Sequence, residues 1–148
     1  MMQIEKATLP DLDSIHSLLL KQFDEHAIKV PPDLLKQAVL AMLENKGRGI
    51  LLVARKESKI VGIAAVSFVW TLEHGGQSAW LDELYILPEY RGQGIGRSLM
   101  RQVIGQAQEM GCLAIDLEVD ADHRSAERLY EQERFRRLPR SRWVRYLV

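Results

Sequence analysis

Gly92, Gly94 and Gly96 alternate between Arg91 and Arg97, inside the stretch Leu81–Met100. Ahead of them, Leu84, Tyr85, Ile86 and Leu87 form an apolar, β-prone run that Pro88 ends, because proline cannot donate to a ladder. Behind them, Ile95, Leu99, Met100, Val103, Ile104 and Ala107 share one helical stripe, opposite Arg97, Arg101, Gln102 and Gln108. A strand, a glycine turn and a helix start leave main-chain N–H groups at the positive end of a helix dipole, a cradle for an anion. Spacing excludes two common phosphate loops. A Walker loop needs four residues between its glycines followed by Lys-Ser/Thr, and that register is missing. A dinucleotide fingerprint needs a third glycine where Arg97 or Leu99 stands. Two adjacent carboxylates, Asp82 and Glu83, precede the apolar run and point to opposite faces unless a bulge intervenes.

The remaining elements must position this stretch. Met2–Ala7 reads as a first strand. Thr8 or Asp11 caps a helix with Pro10 in its first turn and Leu12, Ile15, Leu18, Leu19 and Phe23 on its apolar face. After Pro31-Pro32 a second helix carries Leu34, Leu35, Ala38, Val39, Met42 and Leu43, and Gly47 and Gly49 end it. Ile50–Arg55 and Ile60–Leu72 flank the polar turn Lys56–Lys59 and predict a hairpin. The second run is nearly all apolar, as for a central strand covered on both faces. His74–Gln77 turns the chain into Ser78–Trp80 and the strand before the glycines. Leu113–Val119 alternates apolar and acidic residues, and the helix before it predicts a parallel pairing. A short helix from about Asp122, its N-cap, carries Ala126, Leu129 and Tyr130. Phe135–Leu138 and Arg142–Val148 predict a closing hairpin around Pro139–Ser141.

Arg91-Gly-Gln-Gly-Ile-Gly96 resembles the Gln/Arg-x-x-Gly-x-Gly/Ala signature of the GCN5-related N-acetyltransferases (the GNAT family). A second stretch, from His123 to Phe135, is similar to that family's Asn-x-x-Ala-x-x-Leu/Phe-Tyr-x-x-x-Gly-Phe at Ala126, Leu129, Tyr130 and Phe135. Two positions depart from it: His123 stands for Asn, and Arg134 stands for Gly at a helix end where a left-handed backbone is common. The element order β-α-α-β-β-β-α-β-α-β-β is also the order of the acetyltransferase fold. The resemblance therefore implies one N-acetyltransferase domain over residues 1–148. Its fold class is α/β (α+β), a mixed, mostly antiparallel sheet of about seven strands flanked by about four helices.

The resemblance implies acetyl-CoA as cosubstrate, its pyrophosphate on the amides of Arg91, Gly92, Gln93, Gly94, Ile95 and Gly96, with Arg91 and Arg97 as charge partners and Ser98 and His123 nearby. The pantetheine arm would lie along Leu84, Tyr85 and Ile86 at a bulge, with an N–H near Ile86 facing the thioester oxygen. The implied acceptor is a primary amine, with a small cationic amine favoured. A protein N-terminus or lysine is the alternative. An alkyl ammonium must lose a proton before it attacks, so Asp82 or Glu83 would be the base. Tyr130 would protonate the departing thiolate, and it would also touch the cofactor. Glu25, His26, Trp70 and Trp80 would border the acceptor, although tryptophans there also serve as packing. A reading of another class is a non-catalytic acyl-CoA sensor.

Composition frames these expectations. At 148 residues with 47% hydrophobic and 27% charged content, the chain reads as one globular domain. Lys+Arg 20 against Asp+Glu 20 gives a formal charge of zero, so no polyanionic partner is implied. The one cysteine, Cys112, has no internal partner, which points to a cytoplasmic, reducing setting. Neither a signal peptide nor a membrane-length apolar run is expected. His16, His26, His74 and His123 are scattered, so no metal is expected. The last fifteen residues hold six arginines and no acid, without the aromatic interleaving of a nucleic-acid site. The open readings there are a solvated hairpin paired with nearby acids, an ion-pair surface of a homodimer, and contact with the 3′-phosphate of the cofactor.

Overall fold

In the computed structural model, which describes residues 1–120 and 124–148, one sheet runs in chain order. Its strands are β1 (Met2–Lys6), β2 (Gly49–Lys56), β3 (Lys59–Thr71), β4 (Gly76–Ile86) and β5 (Ile115–Asp116). β1 to β4 are antiparallel neighbours, whereas β4 and β5 are parallel, as a bridging helix requires. α1 (Leu12–Glu25) and α2 (Pro32–Glu44) fill the β1–β2 connection. α3 (Ile95–Glu109) joins β4 to β5, and α4 (Arg124–Gln132) follows. Met1–Asp116 and Leu117–Val148 form two compact units.

In the first unit, the apolar runs of β2 and β3 become strands buried along most of their length, the outcome for a sheet covered on both sides. Leu52, Val53, Val61, Ile63 and Val66 of the sheet and Leu99, Met100 and Val103 of α3 are all fully buried. Gly62 of β3 pairs with Ile86 of β4. A Cβ on Gly62 would come within 2.7 Å of the Ile86 side chain and 3.4 Å of Leu99, so this face of the sheet meets α3. The adjacent pair, Ile63 and Tyr85, faces the other way. There the Tyr85 hydroxyl reaches Glu25 of α1. α1 and α3 therefore cover opposite faces.

α1 is tied to the sheet at its start. The Thr8 N–H donates to Asp11 at 2.9 Å, and the Arg55 guanidinium of β2 donates to the same carboxylate at 2.5 Å. Burial alone would push the Asp11 carboxyl up, but Arg55 and Thr8 hold it below its ordinary value. At the far edge, His74 of the β3–β4 turn meets Asp116 of β5 at 2.7 Å.

In the second unit, the Tyr130 and Phe135 rings meet edge to face, 5.9 Å apart. α4 closes through Arg134 at φ +68°, with the Phe135 N–H returning to the Tyr130 carbonyl at 2.9 Å. The helix thus ends as it would with glycine, and Arg134 carries the strain. The N-cap expected at Asp122 lies outside the described residues.

The sheet corrects two expectations. Seven strands were expected and five form among the described residues. The strand expected over Leu113–Val119 is only Ile115–Asp116, and neither Phe135–Leu138 nor Arg142–Val148 is a strand. The reason lies in their patterning. Arginines fall next to aromatic and aliphatic residues on both faces, and Trp143, Tyr146 and Leu147 are all more than 80% exposed. A two-stranded hairpin with no apolar face to bury is marginal in water. Charge pairing takes part of the arginine load instead: Arg142 meets Glu118 at 2.7 Å and Arg137 meets Glu127 at 3.5 Å.

The strain at Arg134 makes a stability test. Arg134→Gly should stabilise the protein by roughly 0.5 to 1 kcal/mol, because glycine adopts a left-handed backbone without the Cβ clash. A urea midpoint that rises with an unchanged slope would bear this out, and a lower midpoint would refute it.

Candidate active site

The β3–β4 ladder slips by one residue at the two carboxylates. Leu81 lies opposite Val66 and Glu83 opposite Ala65, so Asp82 is the extra residue of a β-bulge. Side-chain direction alternates along a strand, and one added residue reverses it. Upstream, Leu81 pairs with an even-numbered residue of β3, on the α3 face. Downstream, Glu83 and Tyr85 pair with odd-numbered residues, on the α1 face. The bulge thus carries Glu83 out of the α3 core and into reach of α1.

Two hydrogen bonds fix what α1 offers there. Gln22 Nε2 donates to Glu83 Oε2 at 2.5 Å, and Tyr85 Oη donates to Glu25 Oε1 at 2.5 Å. Burial comes first in pushing the Tyr85 hydroxyl up to about 12, with the Glu25 bond adding to it. The same bond, helped by Arg91, holds the Glu25 carboxyl below its ordinary value. Arg91 stands 5.3 Å over the Tyr85 ring, donates to the Ile86 carbonyl at 2.9 Å, and reaches Glu25 at 3.4 Å. One guanidinium therefore links the end of β4, the end of α1 and the start of the glycine turn. A cleft of about 310 Å³ opens at the Tyr85–Glu25 pair, beside Lys21, Asp24, Leu87 and Glu89; Gln22, Glu83 and Arg91 do not line it. A larger hollow of about 440 Å³ beside Leu20, Phe23 and Ile28 is mostly apolar.

The glycine turn is built as its sequence requires. Gly92 and Gly94 take φ +77° and +79°, a left-handed conformation that disfavours any other residue, and Gly94 caps α3. A Cβ on either would meet nothing within 4 Å, so the ground above the turn is open to a ligand. The amides of the first turn of α3 lie outside its internal ladder, which begins with Ser98 N–H to Gly94 C=O. The Ile95 side chain is buried in the core, leaving only its backbone to the turn, while Gln93 and Arg97 are exposed and Ser98 and Gly96 are half-buried. This arrangement suits a phosphate-bearing cosubstrate.

The other expected positions divide. Trp80 pairs with Ser67, on the face that carries Glu83, and is half-buried. Trp70 pairs with Gln77, on the opposite face and eight residues along β4 from Tyr85, about 26 Å at the rise of a strand. The structure therefore does not bring Trp70 to the cleft. Asp82 is exposed and accepts a hydrogen bond from the Ser67 hydroxyl. His26 ends α1, one residue past Glu25. Leu84 and Ile86 are half-buried on the α3 face. Tyr130 belongs to the second unit, where burial pushes its hydroxyl up. His123 lies outside the described residues. Gln22 was missed in the sequence, although the signal was present: it continues the buried stripe of Ile15, Leu18 and Leu19. Among the described residues, no group of three or more His, Cys, Asp or Glu could hold a metal ion, and no helix is long and apolar enough to cross a membrane.

Comparison with known proteins agrees with this geometry. The pattern of the Acetyltransferase (GNAT) family matches residues 12–134. An uncharacterised N-acetyltransferase of Mycobacterium tuberculosis is 30% identical over 112 residues, covering 76% of this chain and 69% of that protein. The thialysine N-ε-acetyltransferase of Mus musculus is 34% identical over 77 residues, covering 50% of this chain and 43% of that one. A Clostridium acetobutylicum acetyltransferase solved with acetyl-CoA shares the fold at a TM-score of 0.84 and 19% identity, with 98% of this chain and 96% of that chain covered. The glycine turn, the bulged strand and the family match together establish that this chain belongs to the GNAT family and is an acetyltransferase.

Proposed function

We propose that the enzyme transfers the acetyl group of acetyl-CoA directly to a small cationic primary amine, with Glu83 as base. The observation that carries this reading is the bulge at Asp82, which turns Glu83 onto the α1 face, where it accepts from Gln22 one helical turn before Glu25. The pyrophosphate is assigned to the turn at Gly92–Gly96, whose left-handed glycines leave room for it. Arg91 at the start of the turn and the exposed Arg97 in the first turn of α3 are its cationic partners. The pantetheine arm is assigned to Leu84–Ile86, on the edge of β4 away from β3, because among the described residues β5 pairs with β4 only at Ala79 and Trp80.

The chemistry follows from charge. An alkyl ammonium, with a pKa of about 10, carries no lone pair for attack. Glu83 takes one proton from it and later releases that proton to solvent. The amine nitrogen then bonds to the thioester carbonyl carbon, whose oxygen is steadied by a main-chain N–H near Ile86. The C–S bond breaks as the thiolate receives a proton from Tyr130, and the proton that then leaves nitrogen passes through water to restore the Tyr130 hydroxyl. The balance is ammonium plus acetyl-CoA giving amide, CoA thiol and one proton. Tyr130 holds this role on its motif position, and burial keeps its hydroxyl protonated at neutral pH. Glu25, held ionised by Tyr85 and Arg91, supplies the negative charge that favours a cationic acceptor. The mouse relative's name, a thialysine acetyltransferase, fits such an acceptor.

Thiol release from acetyl-CoA across a panel of amines, including thialysine, tests the assignment. Glu83→Gln should lower kcat at least 100-fold and Asp82→Asn less than 5-fold, on the scale of general-base catalysis. Equal effects would refute Glu83 as base. Tyr130→Phe should lower kcat about 10- to 100-fold while leaving acetyl-CoA affinity within about 2-fold. Gly94→Val should abolish the calorimetric heat of acetyl-CoA binding, because valine strongly disfavours the left-handed cap.

The Tyr85–Glu25 bond has its own signature. A hydroxyl raised to about 12 adds stability that is complete below 10 and is lost as pH climbs toward 12. Ultraviolet titration should therefore show, beside Tyr130, which burial also raises, a tyrosine ionising at about 12 that is lost in Tyr85→Phe. In Glu25→Gln that tyrosine should ionise earlier without returning fully to 10, because burial is the larger cause. An unmoved titration would show that Glu25 does not hold it.

A further inference from the structure

Gln22 is the one polar side chain in the buried stripe of α1, with Ile15, Leu18 and Leu19. It is 7% exposed, and burying an amide in an apolar setting is unfavourable unless both of its ends find partners. Only one end does. Nε2 donates to Glu83 Oε2 at 2.5 Å, while Oε1 is fully buried with no hydrogen-bond partner among the described residues. Methionine would fill the same volume without the orphaned acceptor. The amide is costly to folding, and stability alone does not account for it.

Its chemistry does. A carboxamide is neutral and carries both a donor and an acceptor on one planar group. Its NH₂ fits an ionised carboxylate. Its carbonyl, after a half-turn of the side-chain amide, fits the O–H of a protonated one, and the two ends are nearly the same size. A lysine or arginine there would lock Glu83 in its ionised form, and an aspartate or glutamate would oppose that form. A general base must pass through both forms in each turnover.

Resting on the assignment of Glu83 as base, we propose that Gln22 is its positioning residue. Its amide fixes the plane of the Glu83 carboxylate, and by turning over it stays bonded when Glu83 takes up the proton of the acceptor. The spare acceptor Oε1 is the end used in that second state. Among the described residues, the titratable groups near Glu83 include Glu25 and His26 at the end of α1 and Asp82 and Tyr85 of β4, while β3 presents the uncharged Ala65 opposite it.

The test is Gln22→Met, read in three ways. Carbon NMR of isotope-labelled glutamate carboxyls, with the Glu83 signal identified by its loss in Glu83→Gln, should show Glu83 titrating about one pH unit higher in Gln22→Met, since a donor to the charged form is gone. The acidic limb of kcat/KM should move up by the same amount, with kcat about 10-fold lower and KM within 2-fold. The urea midpoint should stay equal or rise, because the orphaned acceptor is removed. Gln22→Glu, which crowds two carboxylates together, should move the limb further in the same direction. A Glu83 titration unmoved by Gln22→Met overturns the proposal, and so does a loss of rate accompanied by a loss of stability with no shift of the limb. Failure of the underlying assignment looks different: Glu83→Gln would then keep full activity whatever Gln22 does.

Discussion

A single inserted residue in the β3–β4 ladder decides which chemistry this sheet can support. Because strand side chains alternate, Glu83 without the bulge would point toward α3, among Leu99, Met100 and Val103. An ionised carboxylate in that core would be costly, and it would be far from any acceptor. With Asp82 inserted, the same sequence keeps Ala79 and Leu81 buried upstream and sends Glu83 and Tyr85 to the other face downstream. Beyond Trp80, β5 no longer pairs with β4 among the described residues, so that edge of the strand keeps unpaired main-chain groups.

The face so created is organised by α1. Its buried stripe delivers Gln22 to Glu83, and its last residue, Glu25, to Tyr85 and Arg91. These contacts connect the strand carboxylate to the glycine turn through ordinary hydrogen bonds. Arg91 bridges them, since it grips the Ile86 carbonyl at the strand end and begins the turn that starts α3. The ion pair with Glu25 is largely exposed and contributes little to stability, so its value is positional. It fixes where a negative charge stands beside the cleft.

Local signals in the sequence were strong where glycine and apolar periodicity set the backbone. The left-handed Gly92 and Gly94, the core stripe of α3 and the paired apolar runs of β2 and β3 follow directly from residue type. The bulge was readable only as a condition, because two adjacent acids on a strand cannot both be solvated on a face covered by a helix. Its position needed the register itself. Gln22 was hidden because a periodic reading counts apolar residues and passes over a polar one on the same stripe. Trp70 was grouped with Trp80 on residue type, but register puts the two on opposite faces. The C-terminal hairpin failed for a related reason: its runs alternate in sequence, but arginines occupy both faces and leave no side to bury.

The role of base proposed for Glu83 accounts for its half-buried position. A carboxylate sealed in the core would favour its neutral form and would have no path for the proton it collects. An exposed one, like Asp82, would be more strongly screened by water. Glu83 sits between these limits, reached by solvent on one side and held by a buried amide on the other. In that proposed role, water accepts the proton after each turnover, while Gln22 keeps the carboxylate in place for the next ammonium. The same balance accounts for a neutral partner where a cation would bind the carboxylate more tightly. Tighter binding would stabilise the ionised state alone, and a base gains nothing from an interaction it must break whenever it accepts a proton.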